Sequence, residues 1–168
     1  MACVLSIASC ATSAKSEATG AILMRVDFYV LGQSAPDSVI SALAAKVRTE
    51  GERLLIVEQD ASRRGQISDM LWQARPELFL ANGQADELHA DRQPILISDK
   101  AEAANGARMV CLADGRWRDA SGFERILYLF GDEALRDARA QWKKLGDAPE
   151  AERHFWKQDE RGRWIEGP

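Results

Sequence analysis

The feature that most restricts what this chain can become is a pair of short apolar runs joined by an amphipathic stretch. Residues 25–31 (RVDFYVL) are dense in β-branched and aromatic side chains and read as a strand. Residues 32–35 supply a turn, and Pro36 stands where a first helical residue loses nothing by lacking an N–H. Val39, Ile40, Leu43 and Val47 then share one face of a helix that Gly51 stops. Residues 54–57 (LLIV) form an unbroken apolar run, the pattern of a central strand covered on both faces. Strand, helix and strand in this order form a βαβ unit with a right-handed crossover. The chain is thereby committed to an α/β fold.

The next hundred residues extend the same pattern. Asp60 or Ser62 caps a second helix, whose core stripe is Ile67, Met70, Leu71 and Ala74. Trp72 projects about 150° from that stripe at about 100° per residue. A tryptophan on the solvent side needs a cover, either a partner or the loop beyond the helix. Residues 76–93 form a long connection with Phe79 and Leu80 as its strong apolar anchors. Residues 93–98 (QPILIS), 108–112 (RMVCL) and 123–130 (FERILYLF) read as three more strands, with Trp117 in the polar turn 115–122. Residues 154–158 and 163–165 read as a closing hairpin. The expected architecture is a three-layer α/β/α fold with a mostly parallel, Rossmann-like central sheet.

Composition narrows the function classes. A length of 168 residues with 46% hydrophobic and 29% charged side chains fits one soluble domain with a proper core. A net charge of −4 argues against broad electrostatic binding of nucleic acid. Cys3, Cys10 and Cys111 are an odd, scattered set, which fits a reducing cytoplasm better than a disulfide scaffold or a zinc site. No apolar run approaches the roughly 20 residues of a membrane span. Residues 1–23 are small and Ala/Ser/Thr-rich, with Lys15 and Glu17 as their charges, and lack the charged start and apolar core of an export signal. They are expected to be a disordered extension, or an artefact of start-site choice, ahead of one domain over residues 24–168.

The chemistry of a nucleotide enzyme is missing. Neither G-x-G-x-x-G nor G-x-x-x-x-G-K-[ST] occurs anywhere, so the sheet lacks a phosphate-binding loop and no cofactor is expected. His89 and His154 have no Ser or Cys nucleophile beside them, and His89 reads as a solvated loop residue. Asp27, an acid inside the first strand, is expected to pair with a neighbouring cation or backbone group. An α/β fold without its phosphate loop suggests a scaffold for binding.

The helix that begins near Glu133 carries the most suggestive surface. Leu135, Ala138, Trp142 and Leu145 fall on one face, with Arg136, Arg139 and Lys143 as a stripe beside them. Residues 134–164 hold eight Lys/Arg against six Asp/Glu within an otherwise acidic chain, and three of the five tryptophans. Guanidinium and ammonium groups bordering an aromatic edge suit a ligand with both carboxylates and a bulky apolar group. The wheel alone leaves open an ordinary amphipathic helix with a solvated flank.

Several strings in register add a family to this reading. Arg139-x-x-Trp142-Lys143, Phe155-Trp156-x-Gln158 and Asp159-Glu160-Arg161-Gly162-x-Trp164 resemble the C-terminal signature of the chi subunit of DNA polymerase III. Val26-Asp27-Phe28-Tyr29-Val30-Leu31 is similar to that family's opening strand, and Ile67-x-x-x-Leu71-Trp72 with Phe79 to its central helix and the segment after it. The resemblance implies a non-catalytic accessory subunit of the clamp-loader complex. It implies that Arg139, Trp142, Lys143 and Arg136, with Phe130 lining an apolar recess, receive the tail of single-stranded DNA-binding protein, an acidic peptide ending in Ile-Pro-Phe. It also implies that Trp72 and Phe79 face the psi subunit, so that DNA is reached only indirectly. After Phe79 this chain has Leu80-Ala81-Asn82 where the family commonly has Leu-Pro-His. Two other readings stand beside it: a nucleotide-dependent enzyme on a Rossmann-like sheet, and direct stacking of single-stranded nucleic acid on the Trp-rich tail.

Overall fold

A computed structural model describes residues 24–32 and 34–167; the extension expected at residues 1–23 lies outside the described residues. Among the described residues, eight strands and three α-helices are arranged in the order β1 (Met24–Val30), α1 (Pro36–Thr49), β2 (Leu54–Val57), α2 (Ala61–Ala74), β3 (Asn82–Gln84), β4 (Ile95–Ser98), β5 (Met109–Leu112), β6 (Arg125–Phe130), α3 (Leu135–Gly146), β7 (Ala151–Gln158) and β8 (Trp164–Glu166). They build one sheet of order β3-β4-β2-β5-β6-β1-β7-β8. Every neighbouring pair is parallel except β7 with β8, which form the closing hairpin. The expected mostly parallel α/β sheet is therefore present. Its first two strands are not neighbours, since β5 and β6 lie between them.

Alternation along the strands sorts the core into two layers. Tyr29, Ile56, Ile97 and Leu129 face α1 and α2, packing on Val39, Ile40, Val47, Ile67 and Leu71. Val26, Phe28, Leu55, Val57, Tyr128 and Phe130 face the other way, toward α3 and the loops that hold Trp117 and Phe123. All four residues of β2 are fully buried, as its unbroken apolar run requires. Burying one such side chain is worth about 1.5–3 kcal/mol, so truncation anywhere in β2 is costly. Asp60 accepts from the Arg63 N–H at 2.7 Å and is the cap of α2, rather than Ser62.

Three features depart from the sequence pattern. The connection over residues 76–93 contains the edge strand β3, whose Asn-Gly-Gln composition gives no strand signal. It is held by side-chain chemistry instead: the Asn82 amide donates to the Leu80 carbonyl at 3.0 Å and its oxygen accepts from the Ser68 hydroxyl at 2.7 Å. Of that connection's two expected anchors, Leu80 is buried but Phe79 is 70% exposed. Trp117 is no polar-turn residue in its packing, for its ring stacks on Phe28 at 6.0 Å and meets Tyr128 edge-on at 5.4 Å.

Asp27 does find cations. Its carboxylate accepts from Arg25 (3.0 Å), Arg125 (2.6 Å) and the Trp156 indole N–H (2.8 Å). Burial alone would push this acid upward, but the Arg25 hydrogen bond, the Arg125 charge and the indole donor outweigh it and hold the carboxyl below the usual carboxylate range. One buried carboxylate thus ties β1, β6 and β7 together across the sheet.

Candidate functional site

The stripe expected on α3 faces the sheet and roofs a recess. Leu135, Ala138 and Trp142 are spaced to lie one above another along the helix. The small side chain of Ala138, almost fully buried, lets the helix lie close to the strands. Below it, Phe28 of β1, Phe130 at the end of β6 and Phe155 of β7 form the apolar floor and wall. Phe28 and Phe155 are direct neighbours in the parallel register of β1 and β7. The volume of this open recess is about 200 Å³. A dry cavity of about 150 Å³ accepts a benzene ring, so the recess has room for one aromatic side chain.

Trp142 is fixed from several sides. Its ring meets Phe28 at 5.2 Å and Phe155 at 6.1 Å, both edge-to-face. The Arg153 guanidinium lies over the indole at 4.6 Å and donates to the Trp142 carbonyl. Arg139 lies on the rim and lines the recess, whereas Arg136 and Lys143 are exposed on α3 and do not line it. No ion pair among the described residues involves Arg136, Arg139, Lys143 or Lys144. Their charge faces solvent without an internal counter-ion.

A second surface lies on the opposite layer. Trp72, on the outer side of α2, is 45% exposed and meets Phe79 edge-to-face at 5.4 Å, so the two rings cover each other in part. Leu78 beside them is 40% exposed. Phe79 has φ 46° and ψ 70°, a left-handed conformation that costs a bulky residue on the order of 1–3 kcal/mol. The neighbouring turn is held by the Ala81 N–H donating to the Phe79 carbonyl at 2.8 Å. Buried Leu80 comes directly after it, and Phe79 points its ring outward. Trp72, Leu78 and Phe79 form an exposed apolar ridge, with Phe79 on strained backbone.

Two other places answer the competing readings. The cleft beyond β2 and β5, where open α/β sheets bind nucleotides, is lined by Glu58, Asp60, Asp114 and Arg116. Asp60 already occupies the N-terminus of α2, and Asp114 is held by Arg118 at 2.7 Å. A carboxylate stands where a phosphate would need backbone donors. Trp156 and Trp164 are packed against Tyr29 at 6.1 and 5.1 Å, and the Trp156 indole is bonded to Asp27. Both are structural in their contacts rather than free stacking platforms.

The fold and these surfaces first define a class: an open, mostly parallel α/β sheet with no glycine-rich phosphate loop, carrying an aromatic recess on one face and an aromatic ridge on the other. The model of the family DNA polymerase III chi subunit, HolC, matches residues 23–149, and the chain belongs to that family. Comparison with curated proteins returns no match. Among the residues that line the recess, the pattern of the sequence does not single out Phe28 and Phe155, nor does it bring Arg153 to Trp142. Phe28 stands in the opening strand and Phe155 in the C-terminal signature, so both are visible as family-like residues. Their meeting depends on the β1–β7 register, which short-range pattern does not encode.

Proposed function

We propose that the chain acts as a non-catalytic, cytoplasmic subunit of DNA polymerase III that receives the acidic tail of single-stranded DNA-binding protein in the α3 recess. The observation that carries the reading is Arg139, unpaired by any carboxylate among the described residues, on the rim of an aromatic recess the size of one ring. The terminal Phe of an Ile-Pro-Phe tail enters between Phe28, Phe130 and Trp142. Arg139 takes the terminal carboxylate, and Arg136 and Lys143 along the outside of α3 take the upstream aspartates. Leu135, Ala138 and Phe155 complete the apolar lining.

The ridge of Trp72 and Phe79 then meets a second subunit, psi by family resemblance, from the other side of the sheet. Because the two surfaces belong to opposite layers, both partners fit at once, and DNA is reached through them. The test is calorimetric titration with a synthetic acidic peptide ending in Asp-Ile-Pro-Phe and with the same peptide lacking Phe. Binding of the first, and much weaker binding of the second, is expected. No heat with either peptide would end this reading and return attention to the ridge alone.

A further inference from the structure

We infer that Arg153 is a positioning residue, which holds the Trp142 ring so that the recess stands open and preformed for a terminal aromatic side chain; this role rests on the tail reading and deepens it. Arg153 lies on β7, two residues from Phe155, so both side chains project to the α3 face. The guanidinium crosses to α3, donates to the Trp142 carbonyl and covers the Trp142 ring at 4.6 Å. No carboxylate among the described residues pairs with it. A half-buried cation ordinarily seeks an acid, yet this one commits its planar fork to a carbonyl and an indole face.

Its path is also kept clear. A Cβ placed on Gly146, at the end of α3, would collide with the Arg153 guanidinium. Gly146 thus leaves the space that the guanidinium occupies. The carbonyl bond and the stacked cation fix both the backbone and the ring of Trp142. Remove them, and the indole, held by Phe28 and Phe155 through perpendicular ring contacts, can swing into the recess or away from it. A ligand ring would then have to order the site as it binds, which weakens binding. The residue lies beyond the matched span of 23–149, as does Phe155.

The experiment uses the full chain and the two peptides, with and without the final Phe. Arg153→Ala should weaken the complete tail about tenfold while changing the truncated tail by less than about twofold. Arg153→Lys keeps the charge but not the planar fork, and should behave like Arg153→Ala. Gly146→Ala, which displaces the guanidinium without removing it, should reproduce the same selective loss. In a Trp142→Phe background, Arg153→Ala should add less than about twofold, because the two act through one ring.

Near-UV circular dichroism of the free proteins reads the ring directly: a changed tryptophan signal at unchanged far-UV signal is expected for Arg153→Ala. If that variant fails to fold, the lysine and Gly146 variants carry the test. Equal weakening of both peptides, or rescue by lysine, would make Arg153 an ordinary electrostatic contact and overturn the inference. Wild-type binding that ignores the final Phe would overturn it while leaving the basic rim in place. No wild-type binding at all would overturn the tail reading and this role together.

Discussion

The recess beside α3 and the ridge on α2 both bring tryptophan to the surface, by opposite means. Trp142 is wedged among Phe28, Phe155 and Arg153, so its ring belongs to the core as well as to the surface. Trp72 leans on Phe79, and the pair stands out from the fold. The recess has cations beside it; the ridge has apolar neighbours such as Leu78. A concave, charged-rim site suits the short end of a flexible chain, which brings its own carboxylates. A convex apolar ridge suits a folded partner that supplies the complementary groove. Surface tryptophans therefore need separate accounts of stability and recognition.

The sharpest way to break this contrast is electrostatic. Arg139→Glu should weaken the tail peptide by more than about a hundredfold, since a charge-assisted bond worth ~1.5–3 kcal/mol is replaced by repulsion. Lys143→Glu, acting from outside the recess, should lose about tenfold. Calorimetry showing the two reversals equal would place the terminal carboxylate outside the recess. Next in size is stability. Trp142→Ala should lower the unfolding free energy by about 2–4 kcal/mol and Trp72→Ala by less than about 0.5 kcal/mol, both read by urea denaturation. Trp72→Ala combined with Phe79→Ala should still abolish co-purification with a clamp-loader component. Similar unfolding losses for the two tryptophans would erase the distinction between wedge and ridge.

Much of this layout is legible from residues alone, and the failures have a common cause. The stripes of α1 and α3, the buried run of β2 and the outward Trp72 all arise from periodicity within a dozen residues. The strand β3 is invisible to such a pattern because side-chain bonds from Asn82, not β-propensity, hold it in place. Phe79 reads as an anchor because hydrophobicity does not reveal a left-handed backbone. The recess floor is hidden because Phe28 and Phe155 become neighbours only through long-range parallel pairing. On α3, pattern finds the basic stripe but cannot say that Arg139 lines the recess while Arg136 and Lys143 do not.

Acid should separate the two regions further. The stability that Asp27 contributes is fully present above its unfolded value of about 3.9 and is lost as pH falls through its depressed folded value. Asp27 accepts from the Trp156 indole of β7, and β7 also supplies Phe155. Tail binding should therefore weaken below about pH 4 before the ridge is disturbed, which peptide titration and partner capture measured across pH can follow. Protonation of the peptide's own carboxylates is controlled by a parallel titration of Asp27→Asn, whose acid limb should be shallower. The smallest expected effect is that of salt on the ridge. Raising ionic strength from about 0.05 to about 0.5 M should weaken the tail several-fold and partner capture at Trp72 by less than about twofold.

The central place of β1 has a consequence for how the molecule comes into being. Asp27 bonds Arg125 and Trp156, which lie 98 and 129 residues further along the chain. An emerging polypeptide can pack β2 on the early helices long before either lateral neighbour of β1 has been made. The opening strand must therefore wait, unpaired, through most of synthesis, and its closure is a slow, late event of high contact order. The recess is completed in that last step, when β7 docks beside β1. A chain that stops short of β7 leaves the ribosome with a ridge but no recess.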